Sequence, residues 1–175
     1  SVAAYRFGHS MVRPRYRLNP TIELPIFDEG PNSFTSLVGF GDFPHNWAID
    51  WGKFFDMGDN RPATGPERLM PAYKIDTSLV FPLGNLPARI ATDPSSLPRR
   101  NLLRGSAMGL PSGQAVAHKL KCPILTEDKL WLEDANDGQA EPTKKTLQEI
   151  SPKFKGNAPL WFYILAEAQD NIEAG

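Results

Sequence analysis

The chain has 175 residues, of which 41% are hydrophobic and 22% are charged, and its formal net charge is -1. This length and composition are those of a globular chain with a core, and they exclude an intrinsically disordered one. The near-neutral charge argues against a broad electrostatic surface for nucleic acid or an anionic membrane. The longest apolar run, over 158–168, is far shorter than the roughly 20 residues of a transmembrane helix.

Proline is about twice as frequent as in an average protein, with 17 in the chain, which favours short helices joined by long ordered loops. In chain order, the first half is predicted to contain a helix over 1–13, an irregular segment over 14–45, a short helix over 46–55 capped by Asn46, and a loop over 58–71. The segment 74–86 is compatible with a strand or a helix.

The second half carries clearer helix signals. In chain order, it is predicted to contain a helix over 97–108 with Pro98 in its first turn, a helix capped by Ser112 and ending near residue 120, a fragmentary helix over 126–132, a polar loop over 133–142, a helix over 143–150, and a helix over 158–171 capped by Asn157. The predicted fold class is therefore mainly α, with long ordered loops and little or no sheet.

Several side chains are expected to have structural roles. Arg13, Arg15 and Arg17 alternate and would share one face of an extended segment, where ion pairs or a solvated edge are favoured over ligand binding. The single cysteine, Cys122, excludes an intrachain disulfide and is expected to be buried. The aromatic clusters are expected to lie in the core; they are Trp47 with Trp51, and Trp161 with Phe162 and Tyr163.

The first chemical signal is the run Tyr5-Arg6-Phe7-Gly8-His9-Ser10. Helical spacing places Val2, Tyr5 and His9 on one stripe. Because Gly8 has no side chain, a flat, bulky group could approach the backbone there. A neutral imidazole on such a stripe can ligate a metal or a haem iron.

The second signal is the pair Asn101 and Arg104, which lie three residues apart and therefore on one helix face. The amide oxygen of Asn101 can accept a hydrogen bond from an imidazole Nδ1–H. The guanidinium of Arg104 can bind a carboxylate through two parallel hydrogen bonds. An ordinary helix with two surface polar residues is the alternative interpretation of this pair taken alone.

The two runs together resemble the proximal motifs of the animal-type haem peroxidase superfamily, the peroxidase–cyclooxygenase superfamily. Residues 5–10 resemble its proximal-histidine helix, and Asn101-Leu102-Leu103-Arg104-Gly105 with Gly109-Leu110-Pro111 resembles its second proximal motif. The run over 159–163 resembles members of the bacterial branch. The resemblance implies that residues 1–175 are the proximal, C-terminal part of a single haem peroxidase domain, which is not complete by itself.

Carried onto this sequence, the resemblance implies that His9 is the proximal ligand of the iron and that Asn101 accepts a hydrogen bond from the far nitrogen of His9. Arg104 would pair with a haem propionate, and Arg6 is a second candidate for that role. The implied cofactor is haem b, with its covalent linkage left open.

The chain departs from the family pattern at two places. Ser106-Ala107-Met108 stand where the family has arginine, aspartate and histidine. Arg6 stands three residues before the histidine, where the fatty-acid dioxygenase branches have a radical-forming tyrosine, and this favours peroxidase chemistry over oxygenase chemistry.

In this family the distal histidine, the catalytic arginine, the haem-attachment carboxylates and the calcium site all precede the proximal helix. The resemblance therefore places no catalytic residue and no calcium site in this chain. Another polypeptide or chain segment is expected to carry the distal half, since His45 and His118 are expected to be a structural residue and a surface residue.

When completed, the enzyme would reduce hydrogen peroxide at the expense of a small electron donor or a halide, in a response to oxidative stress. The habit of the family favours a secreted or cell-surface location. Two alternatives stay open at this point. One is a non-catalytic haem-binding or structural subunit of the same fold, and the other is an unrelated helical interaction module.

Overall fold

The structure is a computed structural model that describes residues 3–28, 36–38, 44–134 and 143–174. Helices are the main regular structure in the described residues, and long irregular segments join them. Two small antiparallel sheets of two strands each accompany the helices. The prediction of a mainly α fold is therefore confirmed only in part, because the structure is mixed and the expectation of little or no sheet understates the strands.

The N-terminal helix is a 3₁₀ helix, Ala4–His9, where the sequence predicted a helix over 1–13. The chain leaves the helix through turns, in which the amide of Ser10 donates to Phe7 O and that of Met11 donates to Gly8 O. The hydroxyl of Ser10 also donates to Phe7 O at 3.0 Å. These i to i−3 bonds satisfy the last carbonyls and end the helix before Pro14.

A β-hairpin lies in the segment that was predicted as irregular. Strand β1, Arg15–Arg17, pairs with β2, Glu23–Pro25. Its turn is closed by the Asn19 side chain, which accepts hydrogen bonds from the amides of Thr21 and Ile22 at 3.1 and 3.0 Å. Such a side-chain turn leaves little trace in hydrophobic periodicity, which explains why the hairpin was missed.

The short helix predicted over 46–55 is replaced by two 3₁₀ helices, His45–Trp47 and Trp51–Lys53. The cap is Asp50, which accepts from the Gly52 amide at 3.1 Å, and the prediction that Asn46 caps a helix was wrong. Trp51 is 60% exposed, so this aromatic cluster does not lie in the core. Residues 58–71 form a loop, as predicted.

Three α-helices follow. The first lies in the segment 74–86, which was compatible with a strand or a helix, and the bounds of the other two agree well with the prediction. Helix α1 is one turn, Phe81–Gly84; α2 is Leu97–Ala107; and α3 is Gly113–Leu120. The hydroxyl of Ser96 caps α2 and that of Ser112 caps α3, each accepting a backbone amide of the first turn.

The C-terminal third mixes strands and helices. After a 3₁₀ helix, Glu127–Lys129, the structure has β3, Trp131–Asp134; β4, Thr143–Thr146; α4, Leu147–Ile150; a 3₁₀ helix, Pro152–Phe154; and α5, Leu160–Ala174. Strands β3 and β4 pair antiparallel, so the helices predicted over 126–132 and 143–150 were partly wrong. Most of the predicted polar loop over 133–142 lies outside the described residues.

Helix α5 lies at the centre of the core. One group of side chains packs Phe162, Tyr163 and Ala166 against Ala117, Leu130 and Leu147. Another group packs Trp161 and Leu165 against Ala3 of the N-terminal segment. The prediction that the aromatic run of α5 lies in the core is confirmed, whereas Cys122 is exposed and its predicted burial was wrong.

No helix in the described part of the chain combines the length and the apolar character needed to span a membrane.

The contact between α3 and α5 leads to a prediction about stability. A Cβ on Gly113 would lie 2.0 Å from Cγ of Tyr163, whose hydroxyl is fixed by a hydrogen bond from the Leu125 amide at 2.8 Å. We expect Gly113→Ala to lower the free energy of unfolding by about 1–3 kcal/mol, because the ring has no room to move.

Urea denaturation measures this change, and Gly105→Ala in α2 is the matched control. A Cβ there would meet only Leu110 Cδ1 at 3.6 Å, an ordinary contact. The control should gain up to about 1 kcal/mol, since alanine is the better helix former. A Gly113→Ala variant as stable as the original chain would contradict the packing described here.

Candidate functional site

The predicted site begins at the N-terminal 3₁₀ helix. A helix with three residues per turn places side chains three apart in one row, so Arg6 and His9 lie side by side. Helix α5 holds this segment in place, because Trp161 Nε1 donates to the carbonyl of Arg6 at 3.2 Å. The indole of Trp161 is 5% exposed and packs in the same cluster as Ala3.

Asn101 in α2 joins this row although it is more than 90 residues away in the chain. Its side chain is fully buried. Its Nδ2 lies 3.1 Å from Nδ1 of His9, and its Oδ1 accepts a hydrogen bond from Nη1 of Arg6 at 2.5 Å. The structure therefore brings together three of the four residues singled out from the sequence.

The contact with Arg6 decides which way the amide of Asn101 faces. A guanidinium has donors only, so the atom next to Nη1 of Arg6 must be the amide oxygen. The amide nitrogen then faces His9 and donates to its Nδ1, which acts as an acceptor. In this arrangement the neutral imidazole carries its proton on Nε2. The role implied by the resemblance, in which Asn101 accepts from His9, is the opposite one and stays a prediction.

His9 is half-buried, and its pKa is lowered from the ordinary value of 6.5. Burial is the main cause, because it disfavours the charged imidazolium, and the positive charge of Arg6 adds to it. A lowered pKa keeps the imidazole neutral at pH 7, the form in which a ring nitrogen can ligate a metal.

The fourth residue, Arg104, lines a polar cavity of about 320 Å³ beside α2. Arg6 lines the same cavity, together with Arg100, Asp93 and Leu103. Three guanidinium groups and one carboxylate line it, so its charge suits an anion. The sequence analysis missed Arg100, although it lies four residues before Arg104 and therefore on the same helix face.

The surface beside His9 is open and apolar. A Cβ on Gly8 would meet no heavy atom of the described residues within 4 Å. Tyr5 and Phe7 of the same helix are 82% and 40% exposed. Among the described residues, no side chain therefore covers the backbone at Gly8. Asn101 also lines an apolar cavity of about 360 Å³ between α2 and the start of α5.

His45 and His118 are both exposed, His45 at the start of a 3₁₀ helix and His118 on α3. The surface position expected for His118 is confirmed. Within residues 3–28, 36–38, 44–134 and 143–174, no three histidine, cysteine, aspartate or glutamate side chains are grouped so that they could hold a metal ion.

The alternating arginines form internal ion pairs, as the sequence favoured. Arg15 Nε lies 3.3 Å from Oε1 of Glu23, and Arg17 pairs with the other oxygen of the same carboxylate. Arg13 is buried, donates to the carbonyl of Pro71 and stacks on the ring of Tyr73.

Comparisons with family models, with curated proteins and with solved structures find no match to this chain.

Removing the charge of Arg6 is predicted to change the pKa of His9. We expect Arg6→Gln to raise the pKa of His9 towards 6.5, because the variant removes the nearby positive charge. Proton NMR titration of the imidazole measures it, with the exposed His45 and His118 as references in the same spectrum. Arg104→Gln is the control and should leave the pKa of His9 unchanged. An unchanged pKa in Arg6→Gln, or an equal rise in the control, would contradict the proposed cause.

The same pKa predicts how stability depends on pH. Below pH 6.5 the unfolded chain binds a proton at His9 more readily than the folded chain does. The contribution of His9 to stability is thus fully present above pH 6.5 and is lost as the pH falls through its folded-state pKa. Urea denaturation should show that His9→Gln weakens the loss of stability below pH 6.5, and an identical slope in the variant would contradict this.

Proposed function

We propose that this chain supplies the proximal side of a haem site in a peroxidase, with His9 as the protein ligand of the iron. In this proposal the chain is the C-terminal part of the haem-peroxidase helical fold. The observation that carries the proposal is the hydrogen-bonded row of Arg6, Asn101 and His9. The two motifs that bear the resemblance are 92 residues apart, and their polar side chains lie 3.1 Å from each other.

His9 is a single protein ligand, and such a site suits a metal that brings other ligands of its own. A single imidazole leaves most of the coordination sphere of a metal ion unfilled, and the described residues offer no cluster of further ligating side chains. A porphyrin supplies four nitrogens in one plane and needs only an axial ligand from the protein. The backbone at Gly8, which no described side chain covers, supports the approach of such a plane beside His9.

The cavity lined by Arg6, Arg100 and Arg104 supports the second part of the proposal, the binding of the haem propionates. A propionate in a partly buried site needs a cation, because an unpaired buried carboxylate is costly. Guanidinium groups suit it better than ammonium groups do, since they bind both carboxylate oxygens at once. Arg104 and Arg6 would hold the propionates, and Arg100 joins them because it lines the same cavity.

Asn101 would set the tautomer of His9. Ligation through Nε2 requires the proton on Nδ1, and the amide of Asn101 must then present its oxygen to His9. Arg6 holds that oxygen at 2.5 Å, so Arg6 has to leave it before the amide can turn. The cavity that Arg6 also lines offers it a new anionic partner once a propionate is there. Haem binding and the orientation of Asn101 would therefore be coupled through Arg6.

Haem b, when bound, supplies the redox chemistry: hydrogen peroxide takes two electrons from a small donor or a halide, and two protons, to give two molecules of water. A neutral amide partner leaves His9 a weaker electron donor than a carboxylate partner would. The base and cation that act on the peroxide would come from another polypeptide or chain segment. The chain is then an enzyme only when that distal half completes it.

Haem titration of the 175-residue chain tests the proposal. We expect a Soret band at one haem per chain, and His9→Ala should shift that band because the iron loses its axial imidazole. The control is His118→Ala, which removes an exposed histidine on α3 and should leave the band in place. Pyridine haemochrome analysis gives the haem content.

The same titration also tests whether Arg104 binds a haem propionate, through the affinity of the chain for haem. Arg104→Gln should weaken haem binding by roughly tenfold without moving the Soret band, because it removes a charge-assisted hydrogen bond but not the axial ligand. Arg99→Gln, a neighbouring exposed arginine of α2, is the control and should bind haem normally. A band that His9→Ala does not shift, or equal losses in the two arginine variants, would contradict the proposed roles.

A further inference from the structure

The apolar cavity of about 360 Å³ between α2 and the start of α5 has no role in the proposed haem site. The described residues that line it include no charged side chain. The other cavity beside α2, which Arg100 and Arg104 line, is by contrast cationic. An uncharged wall cannot offset the cost of taking an ion out of water, so the apolar cavity suits a neutral ligand.

Part of the cavity wall is held by backbone contacts between the starts of α3 and α5. The amide of Gly113 donates to the carbonyl of Ala158 at 2.9 Å, and Ser112 forms an antiparallel β-bridge with Pro159. Ser112 itself lines the cavity. Its oxygen accepts from the Ala115 amide at 3.2 Å, so its hydroxyl proton is the group that it can donate to a ligand.

Two aromatic side chains, Trp161 and Phe154, also line the cavity. The indole of Trp161 is 5% exposed and is fixed by its hydrogen bond to the carbonyl of Arg6. A wall that is already fixed costs little conformational entropy when it binds a ligand. Aromatic rings gain more from packing on each other than their buried area alone provides. The wall therefore favours a flat aromatic ligand over an aliphatic one of the same size.

Gly105, in the last turn of α2, enlarges the cavity that it lines. Alanine is a better helix former than glycine, so a glycine in a helix calls for a reason. Packing does not supply one, because among the described residues a Cβ there would meet only Cδ1 of Leu110, at the ordinary distance of 3.6 Å. Leu110 is another lining residue of the cavity. The missing side chain thus leaves room for a ligand and does not relieve a clash.

We propose that this cavity binds a small neutral aromatic molecule with one hydrogen-bonding group, of the phenol class. Its volume lies near the lower end of the range for small-molecule pockets, about 300–1,000 Å³, and so suits one or two rings. A protein segment would have to pair its backbone polar groups, for which the apolar lining offers few partners. In this proposal Ser112 binds the hydroxyl group and Trp161 packs on the ring. The inference is independent of haem binding at His9.

NMR titration of the 175-residue chain with 4-methylphenol tests the proposal. The chain has four tryptophans, so the indole N–H signal of Trp161 can be followed with the other three as references in the same spectrum. Trp161→Phe assigns that signal. We expect the Trp161 signal to shift in a saturable way, with a dissociation constant on the order of 1 mM or lower. The proposal is overturned if the signal does not shift.

Two further probes separate charge from shape. Benzoate has the same ring but a negative charge, and it should bind roughly tenfold more weakly than 4-methylphenol because the lining offers no cation. 4-Methylcyclohexanol keeps the hydroxyl group and the carbon count but has no flat ring, and it should bind roughly threefold more weakly. Benzoate that binds as tightly as 4-methylphenol would overturn the choice of a neutral ligand. Equal binding of 4-methylcyclohexanol would overturn the choice of an aromatic one.

Filling the cavity from Gly105 should weaken the binding of 4-methylphenol in steps. We expect a loss of roughly threefold in Gly105→Ala and of roughly tenfold or more in Gly105→Leu, because the added carbons occupy the space of the ligand. Ala107→Leu is the matched control and should bind normally, since it adds the same side chain at an exposed position of α2 that does not line the cavity. Equal binding in Gly105→Leu and Ala107→Leu would place the ligand elsewhere and overturn the proposal.

Discussion

The side chain of Asn101 is a fully buried amide whose two ends must both be paired, and the candidate site depends on it. An unpaired buried amide costs about 1–3 kcal/mol, so its two partners are strongly specified. Arg6 supplies the donor for its oxygen, and His9 supplies the acceptor for its nitrogen. The amide therefore holds the N-terminal 3₁₀ helix against α2. As long as Arg6 donates to the amide oxygen, the amide nitrogen faces His9 and the proton of the imidazole lies on Nε2.

Helix α5 provides the support behind this row. Trp161 donates to the backbone of the N-terminal helix and packs with Ala3, while the same helix packs Tyr163 against α3. Two motifs far apart in the chain are thus held by one buried helix. The site has two neighbouring features: the uncovered backbone at Gly8, next to His9, and the cavity that Arg104 lines together with Arg6 and Arg100.

The sequence predicted those parts of the fold whose signals are local. Helices α2 and α3 were predicted from Pro98 and Ser112, because a first-turn proline and a cap act within four residues. The β1–β2 hairpin was missed because a side chain, that of Asn19, closes its turn. The β3–β4 pair was missed because it joins residues from two separate segments, as between Trp131 and Thr146. In the site, the motifs led to His9 and Asn101. The direction of their hydrogen bond could not be predicted, since it is decided by a third residue, Arg6, which donates to the amide oxygen of Asn101.

We propose that His9 is the axial ligand of a haem iron. Resonance Raman spectroscopy of the haem-loaded, reduced chain, with histidine labelled by ¹⁵N, detects this bond directly. We expect an iron–imidazole stretching band that shifts on labelling and is missing in His9→Ala. A spectrum with no such band, or a band that persists in His9→Ala, would contradict it.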